Sequence, residues 1–391
     1  MNTNLVRLYS CIAILAVLLV SPFLSTYFPT RTLFFLLNIF SVCLFLLLRS
    51  RWIGKAGWLY LGVMFIAFLM HLGDKVVLET PLYYLFVWSN VVILYYALNK
   101  ETEGKKILSL FMLALFLVEC LVCIYERITH AYVFDYSFEF QATAGYASDY
   151  TETEFRAHGL LNHPLYNANV ISIFMALILC NRQIRNTYKV VLLAIGTLAL
   201  LACNSRASMI IWLLIFLYRF FFYNRNIVVV LLCGLILYLL FPVIIGFIEH
   251  SNLFGRLSSS YENEFSTLSR VIAFEVFAGQ NWTWEKILTG GDIVYYDNTD
   301  IGLENGVLLN LAFWGWIIGA IKIVIEFYLT YETLYLYSVR EKFIIYVALW
   351  GVALANSNSF QSFIFIYFFV ANAAFSFNDS LSSIKMITRK V

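Results

Sequence analysis

The sequence predicts an all-α, polytopic membrane protein with about 12 transmembrane helices, both termini cytoplasmic and two enlarged outer loops. Three observations carry this. Apolar residues make up 61% of the chain and charged residues 13%, with a mean hydropathy of +0.79, whereas about a quarter of a soluble domain is charged. Apolar runs of about 17 residues or more recur along the chain, long enough to cross roughly 30 Å of hydrocarbon as helices that satisfy their own backbone. Polar residues collect in two stretches, 126–162 and 249–305.

The first run, 8–24, follows Arg7; Ser21-Pro22-Phe23 stands where a leader would carry its small-residue cleavage site, so the run reads as a retained span. Runs at 32–48, 56–72, 81–98 and 107–125 follow on short polar connections. The sixth, 163–180, starts at His163-Pro164, where proline suits a helix's first turn. The seventh, 190–203, is short and is parted from the eighth, 207–222, only by Asn204-Ser205-Arg206. The ninth, 227–248, leads into the second polar stretch and the tenth, 306–328, leaves it. Residues 330–340 either extend the tenth run or lie along the interface as an amphipathic helix. A short run at 343–356 and a last one at 360–377 complete a single integral domain, 1–391.

With the N-terminus inside, every inner connection is basic, including Arg49, Arg51 and Lys55, then Arg182, Arg185 and Lys189, as the positive-inside rule requires. Most of the 24 acidic residues then fall outside. A chain whose only substantial loops share one face works on that face.

The seven cysteines lie in or at the ends of apolar runs, which excludes a disulfide framework, and Cys120 and Cys123 read as packing residues. Asp292, Asp297, Asp300 and Glu304 match no cation-loop spacing, and His158 and His163 are not a helical ligand pair, so no metal is expected. No glycine-rich nucleotide loop is present, and neither a cofactor nor nucleic acid is expected.

At the end of the first outer loop, Arg156, His158 and His163 precede a run carrying Asn167 and Asn169. Locally these fit either a polar lining or a plain turn at Gly159 with Arg156 reaching to headgroups. Arg206, on a hairpin tip, is costly near membrane depth and calls for a cavity or a partner, or rests at the interface. Arg270 heads an amphipathic stretch with Phe274 and Phe277, and Leu288-Thr289-Gly290-Gly291-Asp292 reads as a turn. Glu304-Asn305-Gly306 is expected at the wet edge of the tenth span. Guanidinium forks suit phosphate oxyanions, and a nearby carboxylate suits a general base.

The segments FRAHGLLNHPLYNANV, NSRAS, the Ser269-Arg270 pair with ILTGGD, and ENGVLLNLAFWGWIIGA, in that order over residues 155–320, resemble the O-antigen ligase and Wzy-type polysaccharide polymerase superfamily of bacterial membrane glycosyltransferases. The resemblance implies a GT-C-like helical fold in the inner membrane, with a site on the periplasmic face. It implies a polymerase that joins undecaprenyl-diphosphate-linked oligosaccharide repeats, without metal or cofactor, alongside a flippase and a chain-length regulator. Arg156, Arg206 and Arg270 would hold the lipid diphosphate, and Glu304 would be the base. His158, His163, Asn305, Trp282, Trp284, Tyr295 and Tyr296 would face glycan, although some aromatics suit an interfacial belt. Ligases of the family carry His-Asn, nine residues, then Gly; here Asn305 and Gly315 keep that spacing but Glu304 replaces the histidine. The arginine-x10-glycine pattern of some polymerases is missing, since Asn167 and Asn281 stand at its glycine positions. A ligase and a transporter or flippase of lipid-linked sugars are the alternatives.

Overall fold

The computed structural model describes residues 3–21, 24, 29–47, 53–70, 79–98, 106–134, 155–182, 184–223, 274–275, 277–290, 305–351 and 362–375. Every regular element among them is helical. In order these are α1 (Thr3–Val20), α2 (Thr30–Leu47), α3 (Lys55–Met70), α4 (Glu79–Leu98), α5 (Lys106–Thr129), α6 (Pro164–Cys180), α7 (Asn186–Cys203) and α8 (Arg206–Tyr223). They continue as α9 (Trp284–Thr289), α10 (Gly306–Trp314), α11 (Trp316–Thr333), α12 (Val339–Tyr346, prolonged by a π turn at Val347–Gly351) and α13 (Ser362–Phe375). The ninth apolar run, 227–248, lies outside the described residues.

Two helices, Ile107–Thr129 and Asn186–Cys203, are long and apolar enough to cross a membrane, and seven shorter apolar helices of 10–17 residues accompany them. Large apolar side chains such as Leu47, Leu110, Val190 and Val324 stand on the outside of the bundle, a surface that water tolerates only in small patches. The interior lies along α6 and α13, whose described side chains are buried on nearly every face. α6 packs on α5, α7 and α13, and α13 packs on α4 and α1. These are the features of a helical membrane protein.

Contacts define two ends. At one end Asn181 Nδ2 donates to Phe375 O, Arg182 pairs with Glu341 at 3.2 Å, Asn372 Nδ2 donates to Thr333 O, and Tyr96 Oη donates to Glu332. At the other end, the C-termini of α5 and α7 and the start of α6 meet the segment Phe155–His163. α11 starts at that second end and finishes at Glu332 at the first.

The tenth apolar run is not one helix. Gly315, at φ 80° and ψ 156°, breaks it, and α10 folds back against α11. Lys322 Nζ reaches Asn310 Oδ1 at 2.9 Å, and a Cβ on Gly319 would lie 2.6 Å from Asn310 O. In a continuous helix, residues 310 and 322 would be about 18 Å apart. The short helix α9 sits on the apex: a Cβ on Gly290 would meet Phe313 O at 2.3 Å, and one on Gly315 would meet Leu288 O at 2.5 Å. Of residues 330–340, the first four extend the tenth run as the end of α11, and no separate amphipathic helix covers the stretch. α11 ends at Thr333, Leu334 is buried, and Ser338 opens α12 with a capping box to Glu341.

Candidate functional site

Phe155–His163 is a buried turn that α5 holds by two carboxylates. Glu119 and Glu126 are seven residues apart, on one helical face. Glu126 Oε2 accepts the backbone N–H of His158 at 2.7 Å and of Gly159 at 2.9 Å, and its Oε1 accepts Val133 N–H at 3.1 Å. Glu119 accepts Leu160 N–H at 3.1 Å and the Cys123 thiol at 3.5 Å. From α6, Asn167 Oδ1 accepts Leu161 N–H at 3.1 Å while its Nδ2 donates to His158 O. Asn167 therefore fastens the turn. Asn169, two residues on, lies on another face of α6, and its amide is buried with no hydrogen bond.

Gly159 makes the turn possible. Its φ is +52°, and a Cβ there would meet Glu119 Oε1 at 2.4 Å, Asn167 Nδ2 at 2.7 Å and Cys123 Sγ at 2.8 Å. The stretch is a turn at Gly159 with a helix start at Pro164, and Asn167, read as part of a polar lining, is taken up in holding that turn.

Arg156 is half-buried, and its Nε donates to Cys203 O at 3.4 Å while Ala157 N–H donates to Ala202 O at 3.1 Å. These bonds place Arg156 beside the Asn204-Ser205-Arg206 tip. Asn204 adopts the left-handed conformation that ends α7; its backbone N–H donates to Leu201 O at 3.0 Å, and its buried side-chain amide makes no hydrogen bond. Arg206 begins α8; its side chain lies outside the described residues.

The histidines are integrated into this framework. His158 stacks on Tyr132 at 4.2 Å, and Tyr132 stacks in turn on Phe155 at 5.2 Å. Burial and then the Arg156 charge lower the His158 pKa to about 4, so the ring is neutral at physiological pH. The same two causes hold His163 below its ordinary value. Its Nδ1 accepts Leu165 N–H at 3.3 Å as the N-cap of α6, and its ring packs on Tyr166.

The second-loop residues fare differently. Asn305 is an N-cap: its Oδ1 accepts the N–H of Val307 at 3.0 Å and of Leu308 at 3.1 Å. It begins a buried helix that runs about 13 Å toward the apex at Gly315, so Asn305 lies below the apex and not at the edge where α11 starts. Trp282 donates Nε1–H to Phe277 O at 2.7 Å and packs between Phe277 and Trp316, closing the hairpin apex. Trp284 is 80% exposed at the same end. Of the turn expected over 288–292, Leu288 and Thr289 instead end α9 and Gly290 caps it at φ +68°, while Gly291 and Asp292 lie outside the described residues. Arg270, Tyr295, Tyr296 and Glu304 lie outside the described residues. Among the described residues, no group of three His, Cys, Asp or Glu could hold a metal ion.

Sequence reasoning passed over the anchoring role of Glu119 and Glu126, for which acids seven apart in an apolar run were the signal. It also passed over a buried cluster on α11. Lys322 and Glu326, 1% and 2% exposed, form an ion pair at 2.5 Å, and Tyr60 Oη donates to the same carboxylate at 2.8 Å. Their i, i+4 spacing was the available cue.

Compared with known proteins, the chain matches no family model, no curated protein and no solved structure.

Proposed function

We propose that the protein is a polymerase that joins undecaprenyl-diphosphate-linked oligosaccharide repeats into a surface polysaccharide at the outer face of the bacterial inner membrane. In this reading it spans the membrane about twelve times, with both termini cytoplasmic. The observation that carries the proposal is that Arg156 stands, beside two neutral histidines, at the end of the bundle where the described part of the second loop also sits. A guanidinium beside two uncharged imidazoles suits a diphosphate, whose oxygens its fork can engage in pairs.

In the reaction, a sugar hydroxyl of one lipid-linked repeat attacks the anomeric carbon of the glycan carried by the other. The new C–O bond forms as the bond to undecaprenyl diphosphate breaks. The hydroxyl proton passes to Glu304, and the leaving diphosphate takes the electron pair. Arg156, Arg206 and Arg270 balance its growing charge. The buried amides of Asn169 and Asn204, which make no hydrogen bond within the protein, are donors for sugar hydroxyls. Trp284 offers an exposed stacking face, and a flippase and a chain-length regulator are the expected partners.

Purified protein in vesicles, given defined lipid-linked repeats and no energy source, should lengthen the glycan. Glu304→Gln should abolish growth, and Arg270→Lys should weaken it by about tenfold if the fork geometry matters. Persistence of long chains in the first variant removes Glu304 from the mechanism. A ligase would instead leave finished chains on the carrier when its gene is deleted.

A transporter of lipid-linked sugars is a second reading with its own observation. The fold-back helix α10 and the buried Lys322–Glu326 pair are features found where transporters bind cargo. Movement of intact repeats across the vesicle membrane without chain growth would favour it.

A further inference from the structure

We infer that Lys322 is a positioning residue: its ammonium latches the fold-back helix α10 onto α11 and, through Glu326, onto α3, and so sets the depth at which Asn305 begins α10. The latch joins three elements at one buried point. Lys322 Nζ touches Asn310 Oδ1 of α10 at 2.9 Å and Glu326 of α11 at 2.5 Å, and Tyr60 of α3 donates to that carboxylate at 2.8 Å. The ring of Trp88, from α4, lies 4.9 Å from the ammonium. Asn310 is itself fixed, since its Nδ2 donates to Gly306 O at 2.7 Å.

The latch is needed because apolar packing alone does not prescribe a fold-back. In hydrocarbon surroundings, α10 loses nothing by sliding along α11 or by joining it as one helix, for both are apolar on most faces. A buried charge with one acceptor on each helix removes that freedom, as a polar residue in an apolar seam sets register. The glycines at the apex secure the other end of α10, where α9 presses against the turn at Gly315. α10 is thus held at its apex and its middle, and its start is aimed.

The inference rests on the proposed reaction only for what the aimed segment does. The test uses the full chain in lipid nanodiscs. Lys322→Met/Glu326→Met removes the latch without leaving a lone buried charge, Asn310→Leu removes only the α10 partner, and Lys322→Arg keeps the cation. Amide hydrogen exchange over 306–314 should rise about tenfold or more in the first two variants, and stay near wild type in Lys322→Arg, with α5 and α6 unchanged. Chain growth should fall about tenfold in the first two while the donor concentration for half-maximal rate stays constant, and Lys322→Arg should keep most of it. Unaltered exchange over α10 overturns the latch, and loosened exchange with undiminished chain growth overturns the positioning role. If the wild-type protein grows no chains, the proposed function fails, and the latch stands or falls on the exchange result alone.

Discussion

Glu126 and Glu326 are both buried carboxylates in apolar helices, and the protein compensates them in opposite ways. Glu126 accepts three backbone N–H groups, all from the chain that follows α5. Glu326 accepts a lysine and a tyrosine from its own helix and from α3, and its second oxygen accepts nothing. The difference is one of purpose. Backbone donors tie a carboxylate to the path of a loop, so Glu126 shapes a turn. Side-chain donors tie it to other helices, so Glu326 fixes how helices lie against each other.

The strongest way to break this comparison is to remove the cation. Lys322→Met leaves Glu326 buried without its ammonium and should cost about 3–5 kcal/mol, whereas the double methionine variant should lie within about 1–2 kcal/mol of wild type. Denaturant unfolding in mixed micelles measures both. On the other side, Gly159→Ala forces a Cβ against Glu119, Asn167 and Cys123 at a left-handed φ, for a loss of about 3 kcal/mol. Glu126→Gln keeps an acceptor oxygen and should cost about 1–2 kcal/mol by the same measurement, less than Lys322→Met because no unpaired charge remains.

A further effect concerns pH. His158 is held at a pKa of about 4, below its ordinary value of 6.5. Between those values the unfolded chain binds the proton and the folded one does not, so stability rises with pH. The contribution is complete above about pH 6.5 and is lost as pH falls toward 4. The unfolding midpoint of wild type should therefore drop across that window, and His158→Asn should flatten the slope.

Much of the helical layout was legible. The eight apolar runs before the ninth each became a helix, and His163-Pro164 marked the start of α6, because hydrophobic length and proline chemistry act locally. The hairpin at Gly315 was not legible. An apolar run looks the same whether it goes straight or folds back, and what decides between them is Gly319 against Asn310 and α9 against the apex, contacts that no periodicity records. Arg156 and His158 drew notice because a charged, turn-rich stretch stands out against hydrocarbon, and both lie on one buried turn. Two amides were misread for the reverse reason: the cap Asn305 and the turn anchor Asn167 look free in one dimension, and only the path of the chain shows which N–H groups they accept.

The fold-back at Gly315 also bears on how the chain is assembled. Nine residues are too few for α10 to be inserted as a span in its own right. Its partners for burial are α11, which is made after it, and, through the Tyr60–Glu326 bond, α3. During synthesis α10 must therefore wait until α11 has entered the bilayer and docked on α3, and only then swing into place. That makes it a late arrival, and a chain cut short between α10 and α11 would leave it with nowhere to go.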